Sequence, residues 1–261
     1  MNLKKTTINF SSYGGKLSDI IREHNIATQK SLGQHFLLNM DICKKIAEAS
    51  GKLENFNIIE IGPGPGGLTR ALLDAGAKKV FAVERDQRCV EALNDLATAA
   101  DGRLKIEHAN ALDFDINKNV LPPRKIIANL PYNISTALLI NWLEQINDIN
   151  QMILMFQKEV AERIVASPGC KEYGRLSVRA QWLCKCELLF HLKPGAFWPP
   201  PKVTSSIVKL TPYPKPLFNA KSIFLDRVVS AGFGQRRKML RSSLKKLGPS
   251  PENILDIIPT K

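Results

Sequence analysis

Long apolar runs are absent from this sequence of 261 residues. No apolar stretch approaches the length of roughly 18 residues that a helix needs to cross a bilayer. Residues 1–6 also lack the apolar core of a secretory signal peptide. These absences exclude a protein that crosses a membrane with helices, and we expect a soluble, cytoplasmic protein.

Cysteine and histidine are scarce. The five cysteines form an odd set, and the nearest pair, Cys184 and Cys186, lacks the two-residue gap of a zinc knuckle. We therefore predict reduced, buried thiols and no metal site. The four histidines stand in no context that suggests the proton donor of a dehydrogenase.

Acidic residues are also few. The chain has 24 Asp and Glu against 37 Lys and Arg, which gives a net charge of +13 and an isoelectric point near 9.6. An enzyme for small neutral metabolites has no need of so strong a positive field, so we expect a polyanionic partner. A charge that only keeps the protein in solution is the alternative. A membrane surface is less favoured, because no helix combines a basic face with Trp or Phe anchors.

The chain does contain a regular alternation of strand-like and helix-like segments. The predicted strands of this series cover residues 57–61, 80–84, 104–107, 125–128 and 152–156. Such alternation is typical of a parallel sheet with helices on both faces, so we predict an α/β, Rossmann-like domain. Two late strands, at 188–190 and 206–210, are expected to extend the sheet edge like a hairpin.

Pro212, Pro214 and Pro216 indicate a linker, after which the pattern is helical only. We place a boundary near residue 215. The predicted parts of the chain are an N-terminal extension (1–29), a main domain (30–212) and a small, basic, all-helical domain (217–261).

The C-terminal part is basic. Residues 220–261 carry nine Lys and Arg against three Asp and Glu, a net charge of +6. Positions 237, 241 and 245 recur at helical spacing, which predicts one basic stripe for nucleic acid. The predicted contacts are Arg236, Arg237, Lys238, Arg241 and Lys245. A solvated helix face without a ligand is the alternative.

A glycine-rich loop follows the first predicted strand. Its glycines, Gly62, Gly64 and Gly67, allow the backbone to approach a ligand, and its amides point from a helix N-terminus. Glu84 ends the next strand about 20 residues later, where a carboxylate can accept the hydroxyls of a ribose. This pattern fits NAD and S-adenosylmethionine equally well.

A second motif favours S-adenosylmethionine. Asn129, Leu130, Pro131 and Tyr132 follow an apolar strand and precede a helix, at the strand end where such sheets keep their chemistry. The amide of Asn129 and nearby carbonyls can accept from an exocyclic amine, Pro131 stiffens the turn, and Tyr132 offers a ring for stacking. The set can hold an adenine by its N6. An ordinary strand-to-helix turn is the alternative.

These residues resemble the S-adenosylmethionine-dependent adenine-N6 dimethyltransferases of ribosomal RNA. The stretches that carry the resemblance are 30–37, 60–64, Glu84, 129–135, 157–160, 173–178, 197–203 and 233–238. The 129–132 tetrad also occurs in DNA adenine methylases and in large-subunit enzymes that confer macrolide resistance. The stretches 157–159, 173–175 and 235–238 look like the small-subunit enzyme, which dimethylates two adjacent adenosines near the 3′ end of the rRNA.

The resemblance implies a class I methyltransferase fold, S-adenosylmethionine as co-substrate, no metal, and a monomer acting on rRNA within the immature small subunit. The residues implied to bind the co-substrate are Gln34, His35, Leu37, Gly62, Gly64, Glu84, Asn110 and Asn129. The residues implied to hold or flank the target adenine are Asn129, Leu130, Pro131, Tyr132 and Phe197. Packing of the late hairpin is the alternative role for Phe197.

Three features depart from the family pattern. Asn110 stands where aspartate is usual, and a neutral carbonyl accepts a weaker hydrogen bond, so we expect binding to survive with lower affinity. The extension before residue 30 is predicted to be flexible. The sequence ends soon after Ile258, which leaves open how much RNA affinity the helical part supplies.

Three other functions stay open from the sequence. A large-subunit rRNA methyltransferase would share the tetrad. A non-catalytic ribosome-assembly factor would use the basic tail equally well, although Glu84 and the tetrad argue against lost catalysis. A nicotinamide enzyme would share the glycine loop, and only binding of NAD would favour it.

Overall fold

The structure, a computed structural model, describes residues 8–28 and 33–248. The strands are β1 (Phe36–Leu37), β2 (Asn57–Ile61), β3 (Lys79–Glu84), β4 (Leu104–His108), β5 (Arg124–Asn129), β6 (Ile149–Gln157), β7 (Cys184–Leu192), β8 (Phe197–Trp198) and β9 (Ser205–Pro212). The helices are α1 (Leu17–Glu23), α2 (Met40–Ala49), α3 (Gly67–Asp74), α4 (Gln87–Ala99), α5 (Ile116–Asn119), α6 (Ser135–Glu144), α7 (Lys158–Val165), α8 (Arg175–Leu183), α9 (Ser222–Gly234) and α10 (Leu240–Leu244).

The main sheet has seven strands in the order β4-β3-β2-β5-β6-β9-β7. Strands β2 to β6 are parallel, whereas β9 runs antiparallel to both of its neighbours. The predicted α/β fold is therefore confirmed. The two late strands do lie at the sheet edge, but β9 is inserted between β6 and β7, so that β7 is outermost.

The central strands are buried on both faces. Adjacent residues of β2 enter different core clusters: Ile58 packs with α2, α3 and α4, and Ile59 packs with α6, α7 and α8. Ile127 and Ile126 of β5 divide in the same way. A strand covered on both faces needs apolar residues at every position, which explains the unbroken apolar runs in the sequence.

The strand order reverses between β2 and β5, because the chain builds β3 and β4 on one side and then crosses to the other. The loops that follow β2 and β5 lead to opposite faces of the sheet at this point. They leave a crevice between them, outside the carboxyl ends of the strands. The glycine-rich loop leaves β2 here, and the tetrad begins at Asn129, the last residue of β5.

Residues 8–28 of the N-terminal extension pack against the main domain. Asp74 at the end of α3 accepts hydrogen bonds from the backbone N–H groups of Phe10 (2.7 Å) and Ser11 (2.8 Å). Arg88 donates to the carbonyls of Asn25 (3.3 Å) and Ala27 (2.9 Å). The predicted flexibility is therefore wrong for these residues; 1–7 and 29–32 lie outside the described ranges.

The C-terminal part contributes α9 and α10. Helix α9 ends at Gly234, a turn occupies 235–238, and α10 begins at Leu240. Position 237 therefore lies outside the helix that holds 241, and the predicted stripe through 237, 241 and 245 is wrong. Glycine lowers helix stability, and the Arg236 guanidinium donates to the Lys171 carbonyl at 2.9 Å, which holds the turn.

Helix α9 is joined to the main domain through α8. The Trp182 indole donates to the Phe218 carbonyl at 2.8 Å, and Leu217 N–H donates to the Trp182 carbonyl at 3.0 Å. Arg179 also approaches Asp226 at 3.5 Å. The three-part division of the chain stays a prediction.

Within residues 8–28 and 33–248, no helix is long and apolar enough to cross a membrane. The same part of the chain holds no group of three or more His, Cys, Asp or Glu side chains placed to bind a metal ion.

Replacing Asp74 with alanine should loosen the N-terminal extension, because two backbone N–H groups lose a charged acceptor. We expect a loss of about 1 kcal/mol in the free energy of unfolding in urea, together with faster proteolysis within residues 8–16. Asp95→Ala, an exposed change on α4, is the control. An unchanged cleavage rate in Asp74→Ala would show that the extension is held by other contacts.

Candidate active site

A cavity lies at the switch point, outside the carboxyl ends of β2, β3 and β5. Four predicted elements line it together, although they are far apart in the sequence: the 33–37 segment, the loop after β2, the end of β3, and the tetrad after β5. The predicted residues that line it are Gln34, His35, Leu37, Gly62, Glu84, Asn110, Asn129, Leu130, Pro131 and Tyr132. The structure does not bring Gly64 or Phe197 to its wall.

Gly62 and Gly64 of the glycine-rich loop have different roles. Gly62 has a positive φ of +65°, which favours glycine, and it lines the cavity beside Pro131. A Cβ on Gly64 would lie 2.7 Å from the Phe36 ring, so this glycine makes room for a side chain and not for a ligand. Its N–H donates to Glu84 at 3.1 Å. Gly64 therefore supports two residues of the cavity wall, Glu84 and Phe36, without lining the cavity itself.

Glu84 is held rigidly at the end of β3. One carboxylate oxygen accepts from the N–H groups of Arg85 (2.7 Å) and Asp86 (2.8 Å), and the other accepts from Gly64. Burial raises the pKa of Glu84, and these three hydrogen bonds oppose the rise. A carboxylate has about four lone-pair sites, so the group keeps capacity to accept a hydroxyl from a ligand in the cavity.

Asn110 is fixed by its own turn. Its side-chain amide donates to Asp113 at 2.9 Å, and its side-chain carbonyl accepts from Leu112 N–H at 3.3 Å. A carbonyl oxygen has two lone pairs, so one further donor can be accepted. Because the Asn110 amide nitrogen donates to the Asp113 carboxylate, the Asn110 side-chain carbonyl is the group that can accept a hydrogen bond from a ligand in the cavity.

Asn129 has a defined orientation. Its amide nitrogen donates to the His35 carbonyl at 2.9 Å, so its side-chain oxygen is the end that can accept from a ligand. The His35 ring donates from Nδ1 to the Pro199 carbonyl at 2.7 Å. The same ring lies 5.4 Å from the ring of Tyr132. The tetrad is thus supported by the segment that precedes β1.

Tyr132 is anchored by a residue that the sequence analysis missed. Its hydroxyl bonds the Ser205 hydroxyl at 2.5 Å, at the start of β9, and burial raises the pKa of the phenol. No local signal in the sequence marks Ser205, because the contact depends on the insertion of β9 beside β6. The anchored ring is a rigid surface for a flat base.

Asp86 and Arg88 form a second support that the sequence did not reveal. Gln34 donates to Asp86 at 3.0 Å, and Arg88 bonds both oxygens of that carboxylate, at 3.0 and 2.7 Å. Burial raises the pKa of Asp86, but the hydrogen bonds from Arg88 and Gln34 outweigh it and lower the pKa. Because Arg88 also holds the extension, this cluster couples residues 25–27 to the cavity wall.

Glu60 is the buried carboxyl of the site. It is 1% exposed, lines the cavity, and its Oε2 has no hydrogen-bond partner among the described residues. Burial raises its pKa from 4.5 to about 8; Thr69 and Arg70 oppose the rise, and the charge of Glu84 adds to it. The sequence analysis quoted Glu60 within the glycine motif but gave it no role.

Phe197 does not form a wall over the cavity. It is 5% exposed and packs in the core cluster with Leu192 and Ile207. Side chains alternate along a strand, so the inward position of Phe197 turns its neighbour Trp198 outward, at 42% exposed. The alternative role, packing of the late strands, is the one that this geometry supports.

The predicted RNA contacts surround the turn between α9 and α10. Arg237 and Lys238 are exposed in the turn, and Arg241 and Lys245 are exposed after it. Arg236 is partly committed, because it bonds the Lys171 carbonyl and lies over the Phe233 ring at 5.9 Å. The five residues are thus divided between a turn and the helical residues that follow it, and they do not lie on one continuous helix.

The chain is similar to known proteins over most of its length. The family model described as ribosomal RNA adenine dimethylase matches residues 25–256. Two curated relatives are named ribosomal RNA small subunit methyltransferase A. The one from Rhodospirillum rubrum is 51% identical over 232 residues, covering 89% of this chain and 81% of the relative. The one from Paramagnetospirillum magneticum is 51% identical over 247 residues, covering 94% and 88%.

Two solved structures are similar over most of their length. A dimethyladenosine transferase from Plasmodium falciparum has a TM-score of 0.68 at 31% identity, covering 85% of this chain and 78% of that one. The 23S rRNA methyltransferase ErmE has a TM-score of 0.67 at 26% identity, covering 85% and 88%.

The raised pKa of Glu60 should make the free energy of unfolding depend on pH. The unfolded chain ionises this carboxyl near 4.5 and the folded chain near 8, so its contribution to stability falls as pH rises between these values. We expect Glu60→Gln to remove this dependence. The melting temperature of Glu60→Gln relative to wild type should rise by several degrees from pH 5.5 to pH 8.

Glu172→Gln, which changes an exposed carboxyl, is the matched control and should show a constant difference. A constant difference in Glu60→Gln as well would mean that the carboxyl ionises in the folded protein as freely as in the unfolded chain.

Proposed function

Because the chain belongs to the ribosomal RNA adenine dimethylase family, we propose that it converts two adjacent adenosines near the 3′ end of small-subunit rRNA to N6,N6-dimethyladenosine, using S-adenosylmethionine. The relatives that are about half identical over most of the chain carry the small-subunit name, which favours that substrate over large-subunit RNA. The single structural observation behind the proposal is the fixed orientation of Asn129, whose side-chain oxygen is left to accept.

The cavity fits the co-substrate. Glu84 presents a buried carboxylate to a ribose, and Asn110 presents a carbonyl to an adenine amine. Gly62 has no side chain, which leaves space for the ligand beside Pro131. A positive charge at the methionine end would favour the ionised form of the buried Glu60 carboxyl, which would then balance that charge. When bound, S-adenosylmethionine supplies a methyl group that its sulfonium already activates.

The protein's own residues must place the amine. An adenine N6 is a poor nucleophile, because its lone pair is delocalised into the ring. The Asn129 side-chain oxygen and the Leu130 carbonyl accept the two N6 hydrogens, and this localises the lone pair toward the methyl. Tyr132, anchored by Ser205, supports the flipped base. On transfer, the N6–methyl bond would form as the sulfonium–methyl bond breaks, S-adenosylhomocysteine would be the leaving group, and N6 would release one proton to solvent water.

The remaining parts of the proposal concern the partner. Arg236, Arg237, Lys238, Arg241 and Lys245 bind rRNA phosphates, in a C-terminal unit from residue 217 that follows the methyltransferase domain of residues 30–212. The substrate is the immature small subunit, the enzyme is a monomer, and it works in the cytoplasm, where subunits are assembled. The net charge of +13 supports a polyanionic partner of this kind.

The test is transfer of labelled methyl groups to unmethylated small subunits, to large-subunit RNA and to adenine-containing DNA, followed by digestion to nucleosides. Dimethyladenosine from small subunits alone is the expected result. Label in large-subunit RNA would move the chain to the function of the ErmE relative. Co-substrate binding without any label would favour a non-catalytic assembly factor.

Asn129→Ala should lower kcat by about 100-fold or more, because the acceptor that aligns N6 is lost. The affinity for S-adenosylmethionine should change by less than about threefold, because the proposal assigns the Asn129 side-chain oxygen to the adenine amine and no hydrogen bond to the co-substrate is lost. Asn94→Ala, an exposed amide on α4, is the control. Equal losses of turnover and co-substrate affinity would place Asn129 in binding.

Asn110 permits a paired test of the missing aspartate. Asn110→Asp alone would set a second carboxylate beside Asp113, where like charges oppose each other. The double variant Asn110→Asp with Asp113→Asn should bind S-adenosylmethionine about fivefold more tightly, since a charged acceptor makes the stronger hydrogen bond. Isothermal calorimetry with Asp113→Asn as control measures this; a double variant no tighter than wild type would contradict it.

A further inference from the structure

Trp198 is an exposed indole close to the cavity. The chain has three tryptophans; Trp142 and Trp182 are 1% and 5% exposed, whereas Trp198 is 42% exposed. A single exposed apolar side chain needs no explanation by itself. Tryptophan, however, is the side chain that recurs where one face is packed and the other receives a ligand. The surroundings of Trp198 therefore decide its role.

The position of the indole is fixed by the small sheet of β1 and β8. Trp198 pairs with Phe36 and Phe197 pairs with Leu37, in antiparallel register. The rings of Trp198 and Phe36 are stacked, with centroids 6.4 Å apart and an interplanar angle of 23°. Phe36 is buried and lines the cavity. One side of the indole is thus backed by the cavity wall, while much of the ring stays open.

The same strands connect Trp198 with the adenine site. The carbonyl of Pro199, the next residue, accepts from His35, and the His35 ring lies 5.4 Å from Tyr132. His35 is also the direct neighbour of Phe36. The rings thus form two pairs beside the cavity, Trp198 with Phe36 and His35 with Tyr132, and the backbone between residues 35 and 36 joins the two pairs.

One exposed cation lines the cavity, and another follows Trp198 in the chain. Arg85 is exposed and lines the cavity, and Lys202 is exposed four residues after Trp198. A ring for stacking next to cations for phosphates is the usual composition of a site for single-stranded nucleic acid. An apolar protein segment would have no use for these cations.

We propose that Trp198 stacks an unpaired nucleobase that neighbours the adenine held at Tyr132. The inference rests on the proposed function and adds a second base site to it. Such a site would make the enzyme prefer an unpaired run of at least two nucleotides, and it would hold the strand while each of two adjacent adenosines enters the cavity. Stacking on one aromatic ring tolerates any base, so the neighbour need not be adenine.

The kinetic test uses methyl transfer to unmethylated small ribosomal subunits. Trp198→Ala should raise KM for the subunits by about tenfold, in line with the loss of one stacked base, and should change KM for S-adenosylmethionine by less than about twofold. Trp198→Phe should retain most of the wild-type KM. Val203→Ala, which trims another exposed apolar residue of the same loop, should have no effect.

Two outcomes of this test would overturn the inference. An unchanged KM for subunits in Trp198→Ala would show that no base binds there. Equal rises in both KM values would show that Trp198 only supports Phe36 and the co-substrate wall. Wild-type enzyme without any methyl transfer would contradict the proposed function instead, and the binding test below would still examine Trp198.

The binding test needs no methyl donor. An RNA hairpin with the two adjacent adenosines in its loop is compared with the same hairpin carrying an abasic ribose beside the target adenosine. Wild type should bind the abasic hairpin about tenfold more weakly, and Trp198→Ala should bind both hairpins equally. If Trp198→Ala weakens both hairpins by the same factor, the indole contacts something other than that base, and the inference is wrong.

Discussion

The hydrogen bond from the Asn129 amide to the His35 carbonyl is the contact on which the site depends. It joins segments 94 residues apart, one at the end of the central strand β5 and one just before β1. The bond decides which end of the Asn129 side chain faces the cavity. It also holds His35 against Tyr132, so that the acceptor proposed for the amine and the ring proposed to lie under the base share one support. An asparagine without this partner could rotate and present its amide nitrogen, which cannot accept.

The supports of this contact come from parts of the chain that carry no chemistry themselves. Asp74 holds the extension at one end, and the cluster of Asp86, Arg88 and Gln34 holds it at the other. Ser205 fixes the hydroxyl of Tyr132 from the inserted strand β9. The reacting groups are therefore placed by the ends of β3, β5 and β9 together with the N-terminal segment. This arrangement agrees with the general rule that a rigid sheet positions functional loops.

Much of this fold could be predicted, because burial on both faces leaves unbroken apolar runs that mark the central strands. The glycine loop, Glu84 and the tetrad could be found for a similar reason: each depends on local backbone chemistry at a strand end.

The contacts that could not be predicted from the sequence are those between distant segments. Gly64 looks like a ligand-binding glycine until the Phe36 ring is seen beside it. Phe197 faces the core and not the cavity, because only the pairing of β8 with β1 decides which residue of β8 points inward. The predicted basic stripe at 237, 241 and 245 was wrong because helical spacing alone does not reveal a turn that interrupts the helix.

The insertion of β9 has a consequence for the order in which the protein is made. Ser205 lies 73 residues after Tyr132, on a strand that pairs with both β6 and β7. A chain emerging from the ribosome can build the earlier parallel strands and the glycine loop, yet the phenol stays without its partner until the residues of β9 have been synthesised. The site therefore cannot be completed before β9 has been synthesised, and a nascent chain that stops before residue 205 has the glycine loop but no Ser205 to anchor the ring of Tyr132.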